Sequence, residues 1–291
     1  MTATAVEAGS ALAPTRFVDV GGTRIRVRES GDLAHPPALL LHGIGRSLED
    51  WDAQHPLLSD AYRVIAADLA GFGYSDRVPG TATLQALADT ALGTLDALGE
   101  TRPAHVMGNS LGGAVALLAS VRAPARVASL VLADPAGFGT EVSPALRVLG
   151  VPLLGRWLLG RLDARAARNA ERSLFVDHSL VTDERVQRSV DIGRRPEFAQ
   201  TFLEVATELG TVRGLRPGWR RALLAEASGN PAPTLVVWGE RDLILPAGQL
   251  RTAARALPHV RTHVFGRTGH MPQIEQAEGF AALTREWLSR P

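Results

Sequence analysis

The stretch that decides the fold is Gly108-Asn109-Ser110-Leu111-Gly112, which fits the pattern G-x-S-x-G. It follows the apolar run 104–107 and opens the apolar, helix-like stretch 111–121. A strand, a sharp turn and a helix in this order hold a serine at strained backbone angles, and the flanking glycines avoid side-chain collisions. The pattern therefore predicts an exposed Ser110 hydroxyl at a helix N-terminus, with the Leu111 N–H placed to stabilise an oxyanion.

Short apolar runs bounded by glycine, proline or aspartate lie on both sides of this turn. They are 38–42, 63–67, 127–133, 234–238 and 262–265, while 17–20 and 24–29 flank the hairpin signal Gly21-Gly22. Continuous apolar runs of this length are typical of strands buried on both faces of a parallel sheet. Helix-length stretches separate them, and this alternation predicts an α/β sheet with helices on both faces.

One region breaks the alternation. Between about residues 138 and 228 the pattern is helical, most clearly over 158–170, 183–192 and 197–209, and no convincing strand is visible. We therefore expect a helical cap over 138–228, inserted into a core formed by 1–137 and 229–291. An insertion at this place would cover the carboxyl ends of the strands, where α/β sheets keep their sites.

Candidate partners for Ser110 follow other strands. Serine is a weak nucleophile unless a histidine takes its proton, and that histidine needs a carboxylate to orient it. His270 lies between the last predicted strand and the last helix, where a loop returns to the top of the sheet. Two acids each follow a strand: Asp242, which we favour, and Asp134, whose other interpretation is a turn residue before Pro135.

A second oxyanion donor is expected in the loop that ends the run 39–45. Ile44, just past His42-Gly43, is the natural donor of that second backbone N–H. We interpret His42 as a buried histidine that braces the loop by hydrogen bonds, rather than as the base. Trp51 either lines the pocket or packs in the core.

Composition narrows the function classes. The chain has 291 residues, 45% of them hydrophobic, no cysteine, and 31 basic residues that are all arginine. The missing cysteine excludes a thiolate nucleophile, a Cys-ligated zinc and an iron–sulfur cluster, and the missing lysine excludes a lysine Schiff base. A net charge of +1 argues against a nucleic-acid partner. The predicted chemistry needs no metal and no organic cofactor.

The chain carries no run of 18 apolar residues, so no membrane-spanning helix and no stable membrane insertion are expected. Residues 1–16 lack the pattern of a signal peptide and are predicted to be a short disordered lead, which favours a cytoplasmic protein. The all-arginine composition, rich in alanine and glycine, suggests a GC-rich bacterial genome. The apolar segment 148–162 is interpreted as a lid helix packed on the protein, with a membrane-touching surface as the alternative.

Several of these motifs together resemble the serine-nucleophile branch of the α/β-hydrolase superfamily, over nearly the whole chain after Phe17. They are His42-Gly43, the run 68–75, the serine turn, the run 239–242 and Gly269-His270. The resemblance implies an eight-stranded, mostly parallel sheet with an inserted helical cap. It is specific for the fold and for a Ser-His-Asp triad, and much less specific for the substrate.

The predicted cap carries a narrower resemblance. The segments 173–182 and 194–197, with Asn109, resemble the meta-cleavage-product hydrolases, which split a carbon–carbon bond in 2-hydroxy-6-oxo-dienoates. This resemblance implies that Arg194 binds substrate and that Asn109 and Met271 border it; a solvated helix face is the other interpretation of Arg194. Two positions depart from that family: the run 44–47 replaces a glycine-rich run, and Met271 replaces the usual tryptophan.

These features predict a serine hydrolase that passes through an acyl-enzyme and acts on a hydrophobic small molecule. A carboxylic ester or lactone is the first expectation for the substrate. A diketone-like meta-cleavage product, cleaved at a carbon–carbon bond, is the second. A small-molecule receptor or a non-hydrolytic catalyst on the same fold is the alternative from another class.

Overall fold

A computed structural model describes residues 12–230, 232–257 and 259–289. In this part of the chain, eight strands form one sheet. In chain order they are β1 (Arg16–Val20), β2 (Thr23–Ser30), β3 (Pro37–Leu41), β4 (Arg63–Ala67), β5 (Ala104–Asn109), β6 (Val127–Ala133), β9 (Thr234–Gly239) and β10 (Val260–Phe265). The remaining two strands, β7 (Gly210–Thr211) and β8 (Gly214–Leu215), form a separate short hairpin.

The order across the sheet is β1-β2-β4-β3-β5-β6-β9-β10. The β1–β2 and β2–β4 pairs are antiparallel, and every other neighbouring pair is parallel. The predicted fold class, an eight-stranded, mostly parallel α/β sheet, is therefore confirmed. Arg16 belongs to β1 rather than to the predicted disordered lead, and residues 1–11 of that lead lie outside the described residues.

In chain order, the helices are α1 (Gln54–Leu58), α2 (Leu84–Ala97), α3 (Leu111–Arg122), α4 (Pro144–Leu149), α5 (Pro152–Leu159), α6 (Ala164–Arg172), α7 (Asp183–Gly193), α8 (Phe198–Leu209), α9 (Pro217–Ala227), α10 (Leu250–Ala256), α11 (Pro272–Glu275) and α12 (Ala277–Leu288). Helices pack on both faces of the sheet: α2 and α3 share an apolar cluster with one face, and α1 and α12 share another cluster with the other face. Every residue of β3, β4 and β9 is buried. Alternate side chains of β3 enter different apolar clusters: Leu39 and Leu41 face one side, and Leu40 faces the other.

Along the chain, helices α4 to α9 all come between β6 and β9. This region differs in two places from the purely helical pattern that the sequence predicts. The predicted helix 158–170 is two helices, because α5 ends at Leu159 before Gly160, and Asp163 starts α6 by accepting a hydrogen bond from the Ala166 N–H. The hairpin β7–β8 was not expected; it is too short to show an alternating pattern, and Gly214 has a positive φ of 114°. No helix of the described residues is long and apolar enough to cross a membrane.

Candidate active site

Ser110 occupies the tight turn that joins β5 to α3. Its φ of 54° and ψ of −114° are strained for a residue with a side chain. A Cβ atom on Gly112 would lie 2.2 Å from the Leu41 carbonyl oxygen, and one on Gly108 would lie 2.2 Å from the Gly112 carbonyl oxygen. The two glycines of the motif are therefore needed for close backbone approach, as the sequence pattern predicts.

The loop after β3 lies directly beside this turn. A Cβ on Gly43 would sit 3.3 Å from the Ser110 Cβ, and Ile44 lines the same cavity as Ser110. The His42 ring holds this loop: Nδ1 pairs with the Gly43 carbonyl at 2.8 Å, and Nε2 accepts the Leu69 N–H at 3.0 Å. Complete burial lowers the pKa of His42. The interpretation of His42 as a buried histidine that braces the loop by hydrogen bonds is confirmed.

The His270 ring is oriented by Asp242. Nδ1 lies 2.7 Å from the Asp242 Oδ2, and both side chains are buried. The other Asp242 oxygen accepts the N–H groups of Ile244 at 2.7 Å and Leu245 at 3.0 Å, so the carboxylate cannot rotate freely. The His270 backbone N–H donates to the Leu174 carbonyl at 2.8 Å. The structure thus brings Asp242, rather than Asp134, against His270.

Asp134 lies behind this pair and plays a different part. It is completely buried, has a φ of 46°, and accepts the Gly239 N–H at 2.9 Å. Burial, together with the negative Asp242 beside it, raises the pKa of Asp134 well above its usual value. Asp134, Asp242 and His270 each place one atom that could bind a metal ion within 4.8 Å of the other two. Among the described residues, this is the one group of three or more such side chains. Within this group the structure shows one hydrogen bond, between His270 and Asp242.

Two cavities meet at Ser110. The larger holds about 420 Å³, and His270, Asn109 and Met271 line it together with Ser110. The smaller holds about 70 Å³ and extends toward α4, α8 and the β7–β8 hairpin. Both are mostly apolar and share the side chains Ile44, Ser110, Leu146, Phe202 and Ile244. A molecule that places a carbonyl group at Ser110 can therefore extend an apolar arm to either side.

Arg46 and Glu171 line the larger cavity and belong to a largely buried ion cluster, which we name the four-charge cluster: Arg46, Asp50, Glu171 and Arg185. Arg46 donates to both Asp50 oxygens at 2.8 Å and also pairs with Glu171. Arg185 bridges the same two acids, at 3.0 Å to Asp50 and 3.2 Å to Glu171. The two arginines lower the pKa values of Asp50 and Glu171, and the acids raise that of Arg46. The cluster joins the loop after β3 to α6 and α7 and carries no net charge.

The predicted substrate-binding residues divide into two groups. Asn109 and Met271 line the larger cavity, and the Asn109 side-chain nitrogen also donates to the carbonyls of Ala133 at 3.1 Å and His270 at 3.0 Å. Trp51 and Arg194 line neither cavity, which contradicts a substrate-binding role and agrees with the other interpretation of each: core packing for Trp51 and a solvated helix face for Arg194. Trp51 is fully buried on the other face of the sheet, because the turn 48–51 directs it against Phe280 at a ring distance of 6.0 Å. Arg194 caps the C-terminus of α7 and is exposed outside both cavities, where solvent and the helix dipole favour a cation.

Two groups at the site were missed from the sequence. Glu275 accepts the N–H groups of Val176 and Asp177 with one oxygen and that of Gly269 with the other, so it ties the loop of His270 to the inserted helices. Arg46 and Glu171 are 125 positions apart, and no local pattern joins them. The one available signal was the charged residue that follows Ile44-Gly45, where the sequence departs from the meta-cleavage-product hydrolases.

The comparisons with known proteins agree with this fold. The family model described as alpha/beta hydrolase fold matches residues 36–277. The chain is 34% identical over 283 residues to the 2-hydroxymuconate semialdehyde hydrolase of Pseudomonas sp. (strain CF600), covering 94% of this chain and 93% of that protein. The chain belongs to the α/β-hydrolase fold family and is a hydrolase.

One solved structure and one longer protein are also similar to this chain. A crystal structure of a meta-cleavage product hydrolase from Pseudomonas fluorescens IP01 superposes with a TM-score of 0.79 at 29% identity, covering 94% of this chain and 97% of that one. The chain is also 35% identical over 264 residues to the dihydrolipoyllysine-residue acetyltransferase component of the acetoin cleaving system of Pseudomonas putida. That match covers 89% of this chain but only 65% of the longer protein.

Proposed function

We propose that this hydrolase splits a carbon–carbon bond next to a carbonyl group in a hydrophobic, meta-cleavage-type substrate. The observation that carries the proposal is the full-length similarity to 2-hydroxymuconate semialdehyde hydrolase, above 90% of both chains. The position of Ser110 between two apolar cavities supports it, because a substrate of this type has one arm on each side of the carbonyl that is attacked.

In the proposed mechanism, Ser110 attacks the carbonyl carbon of the keto tautomer while His270 takes the serine proton. Asp242 holds the His270 ring and stabilises its cation, and the N–H groups of Ile44 and Leu111 stabilise the oxyanion. When the carbon–carbon bond breaks, its electron pair goes to the dienoate arm, which receives the proton from His270. Water activated by His270 then releases the acid from the acyl-enzyme.

We assign residues 138–228 as the cap of this site. Side chains of α4, α5, α6 and α8 contribute to the walls of the larger cavity, including Leu146, Leu159, Ala167 and Phe202. A cavity with these walls excludes water from the carbonyl and strengthens the electrostatic interactions around the oxyanion.

A second candidate substrate is a carboxylic ester or lactone with two apolar arms. One observation favours it: among the described residues that line the larger cavity, the one arginine, Arg46, is already paired with two carboxylates. The carboxylate of a dienoate would have to compete with Asp50 and Glu171 for that guanidinium. An ester without a charged arm meets no such competition.

The test compares kcat/KM for 2-hydroxy-6-oxo-6-phenylhexa-2,4-dienoate with that for 4-nitrophenyl esters of increasing acyl length. We expect kcat/KM for the dienoate to exceed that for the esters by at least tenfold. Faster ester cleavage would replace the proposal by the second candidate. Labelling of Ser110 once per chain without turnover of any compound would favour the receptor alternative.

A further inference from the structure

An exposed apolar ridge lies on the outer side of α5, and we name it the α5 ridge: Leu153, Leu154 and Trp157. Their exposed fractions are 86%, 43% and 55%, and Val148 at the end of α4 adds a fourth exposed apolar side chain at 42%. Isolated exposed leucines are ordinary, but four large apolar side chains within ten residues are a patch that needs an explanation.

The ridge is fixed in place by the inner side of the same helix. A Cβ on Gly155 would lie 2.0 Å from the Leu149 carbonyl oxygen and 2.8 Å from the Leu203 side chain, so α5 packs closely there. Leu159 is buried and lines the larger cavity. Because Leu153 and Trp157 are four residues apart, they lie on one helix face, opposite to this packed side. The helix therefore cannot bury the ridge by a small rotation.

Charge surrounds the ridge in a specific way. The sequence from 142 to 162 contains three arginines, at 147, 156 and 161, and no aspartate or glutamate. Arg156 and Arg161 are exposed, and the Arg161 guanidinium lies 4.1 Å from the centre of the Trp157 ring. Apolar and aromatic side chains flanked by arginines suit the boundary between lipid headgroups and acyl chains.

We propose that the α5 ridge docks this protein onto an anionic membrane surface. The positive flank favours a negatively charged lipid layer over a second copy of the chain, because a two-fold contact through this ridge would place arginines against arginines. With eight residues, α5 is too short to span a bilayer, so the contact is peripheral. Each arginine near an anionic surface strengthens binding about fivefold, and each leucine that enters the interface adds a comparable factor.

The α5 ridge lies on a helix that also forms part of the wall of the larger cavity. Leu149, Leu159 and Leu162 line the larger cavity that contains Ser110, and they lie on or next to the helix that carries the ridge. In the docked state, the membrane surface and the cavity would therefore be separated by no more than one helix. The docking itself does not depend on which bond the enzyme cleaves.

The experiment is co-sedimentation of the purified full chain with vesicles of phosphatidylglycerol and phosphatidylcholine, compared with pure phosphatidylcholine. We expect binding to the anionic vesicles to be at least tenfold stronger than to the neutral ones and to weaken in 0.5 M salt. Leu153→Glu should reduce binding at least tenfold. The matched control is Leu33→Glu, an exposed leucine (67%) in the turn before β3, at the opposite edge of the sheet; it should bind like the unmodified chain.

Three results would overturn the proposal. One is no binding to anionic vesicles, and another is equal binding by the Leu153→Glu and unmodified chains. The third is a dimer in light scattering that Leu153→Glu dissociates, because this would make a second copy the partner of the ridge. Circular dichroism of both variants checks that they are folded; both substituted leucines are exposed, so their melting temperatures should match that of the unmodified chain.

Discussion

Removing Glu171 from the four-charge cluster tests a buried ionic contact between the inserted helices and the core. The Glu171 side chain is 1% exposed, pairs with Arg46 and Arg185, and accepts the Ser189 hydroxyl at 2.7 Å. Without it, two largely buried arginines share the single carboxylate of Asp50. Breaking a buried pair by removing one partner costs about 3–5 kcal/mol, because it leaves a charge uncompensated.

We therefore expect Glu171→Ala to lower the free energy of unfolding by about 3–5 kcal/mol and the melting temperature by about 10 °C. Urea denaturation measures the first quantity and calorimetry the second. The control is Glu226→Gln, an exposed glutamate near the end of α9, which should change the stability by less than about 0.5 kcal/mol. Equal effects of Glu171→Ala and Glu226→Gln would refute the importance of the cluster.

A double-mutant cycle isolates the interaction itself. Glu171→Met combined with Arg185→Met leaves the neutral Arg46–Asp50 pair, so the double variant should be more stable, by about 1 kcal/mol or more, than the sum of the single losses predicts. Additive single losses would show that the two side chains do not interact.

The pH dependence of the stability gives a second check. The pKa of Glu171 is lowered in the folded state, so its contribution is present above its unfolded pKa and is lost as the pH falls through the folded value.

Three further predictions concern the serine turn and the acids behind it. Gly112→Ala should lower kcat/KM by at least about 100-fold, because the new Cβ would lie 2.2 Å from the Leu41 carbonyl oxygen; a steady-state assay showing normal kcat/KM would contradict the close approach. Asp242→Asn should lower kcat by about 10⁴-fold without a large change in melting temperature, since the loss is that of the His270 orientation; a tenfold loss or less would argue for another acid. The pKa of Asp134 is raised in the folded state, so its carboxyl costs the fold stability as the pH rises above its unfolded pKa, and Asp134→Asn should gain stability relative to the unmodified chain as the pH rises in urea titrations; a stability difference that does not change with pH would contradict the raised pKa.

Local sequence patterns were enough to predict the sheet and the position of the nucleophile. The strands were predictable because their apolar runs are continuous, and Ser110 was predictable because glycines at 108 and 112 leave room that no side chain could share. His270 and Asp242 followed from the rule that parallel strands bring their following loops to one edge. Their contact at 2.7 Å agrees with that rule.

The walls of the cavity could not be predicted in the same way. For Trp51 and Arg194 the sequence left a role in the site and a purely structural place both open; a short turn buries Trp51, and a helix end exposes Arg194. The partners Arg46 and Glu171 meet only after the inserted helices dock on the core. Such contacts depend on tertiary packing between distant segments, which leaves no periodic signal in the sequence.

The central claim is that Ser110 attacks the substrate, and its most direct test is the kcat/KM of Ser110→Ala on the best substrate found. Ser173→Ala is the matched control, because Ser173 lines the same cavity and donates its hydroxyl to the Ala170 carbonyl at 2.7 Å. We predict a loss of at least about 10⁴-fold for Ser110→Ala and less than about threefold for Ser173→Ala. Turnover by Ser110→Ala within tenfold of the unmodified enzyme would contradict the assignment of the nucleophile.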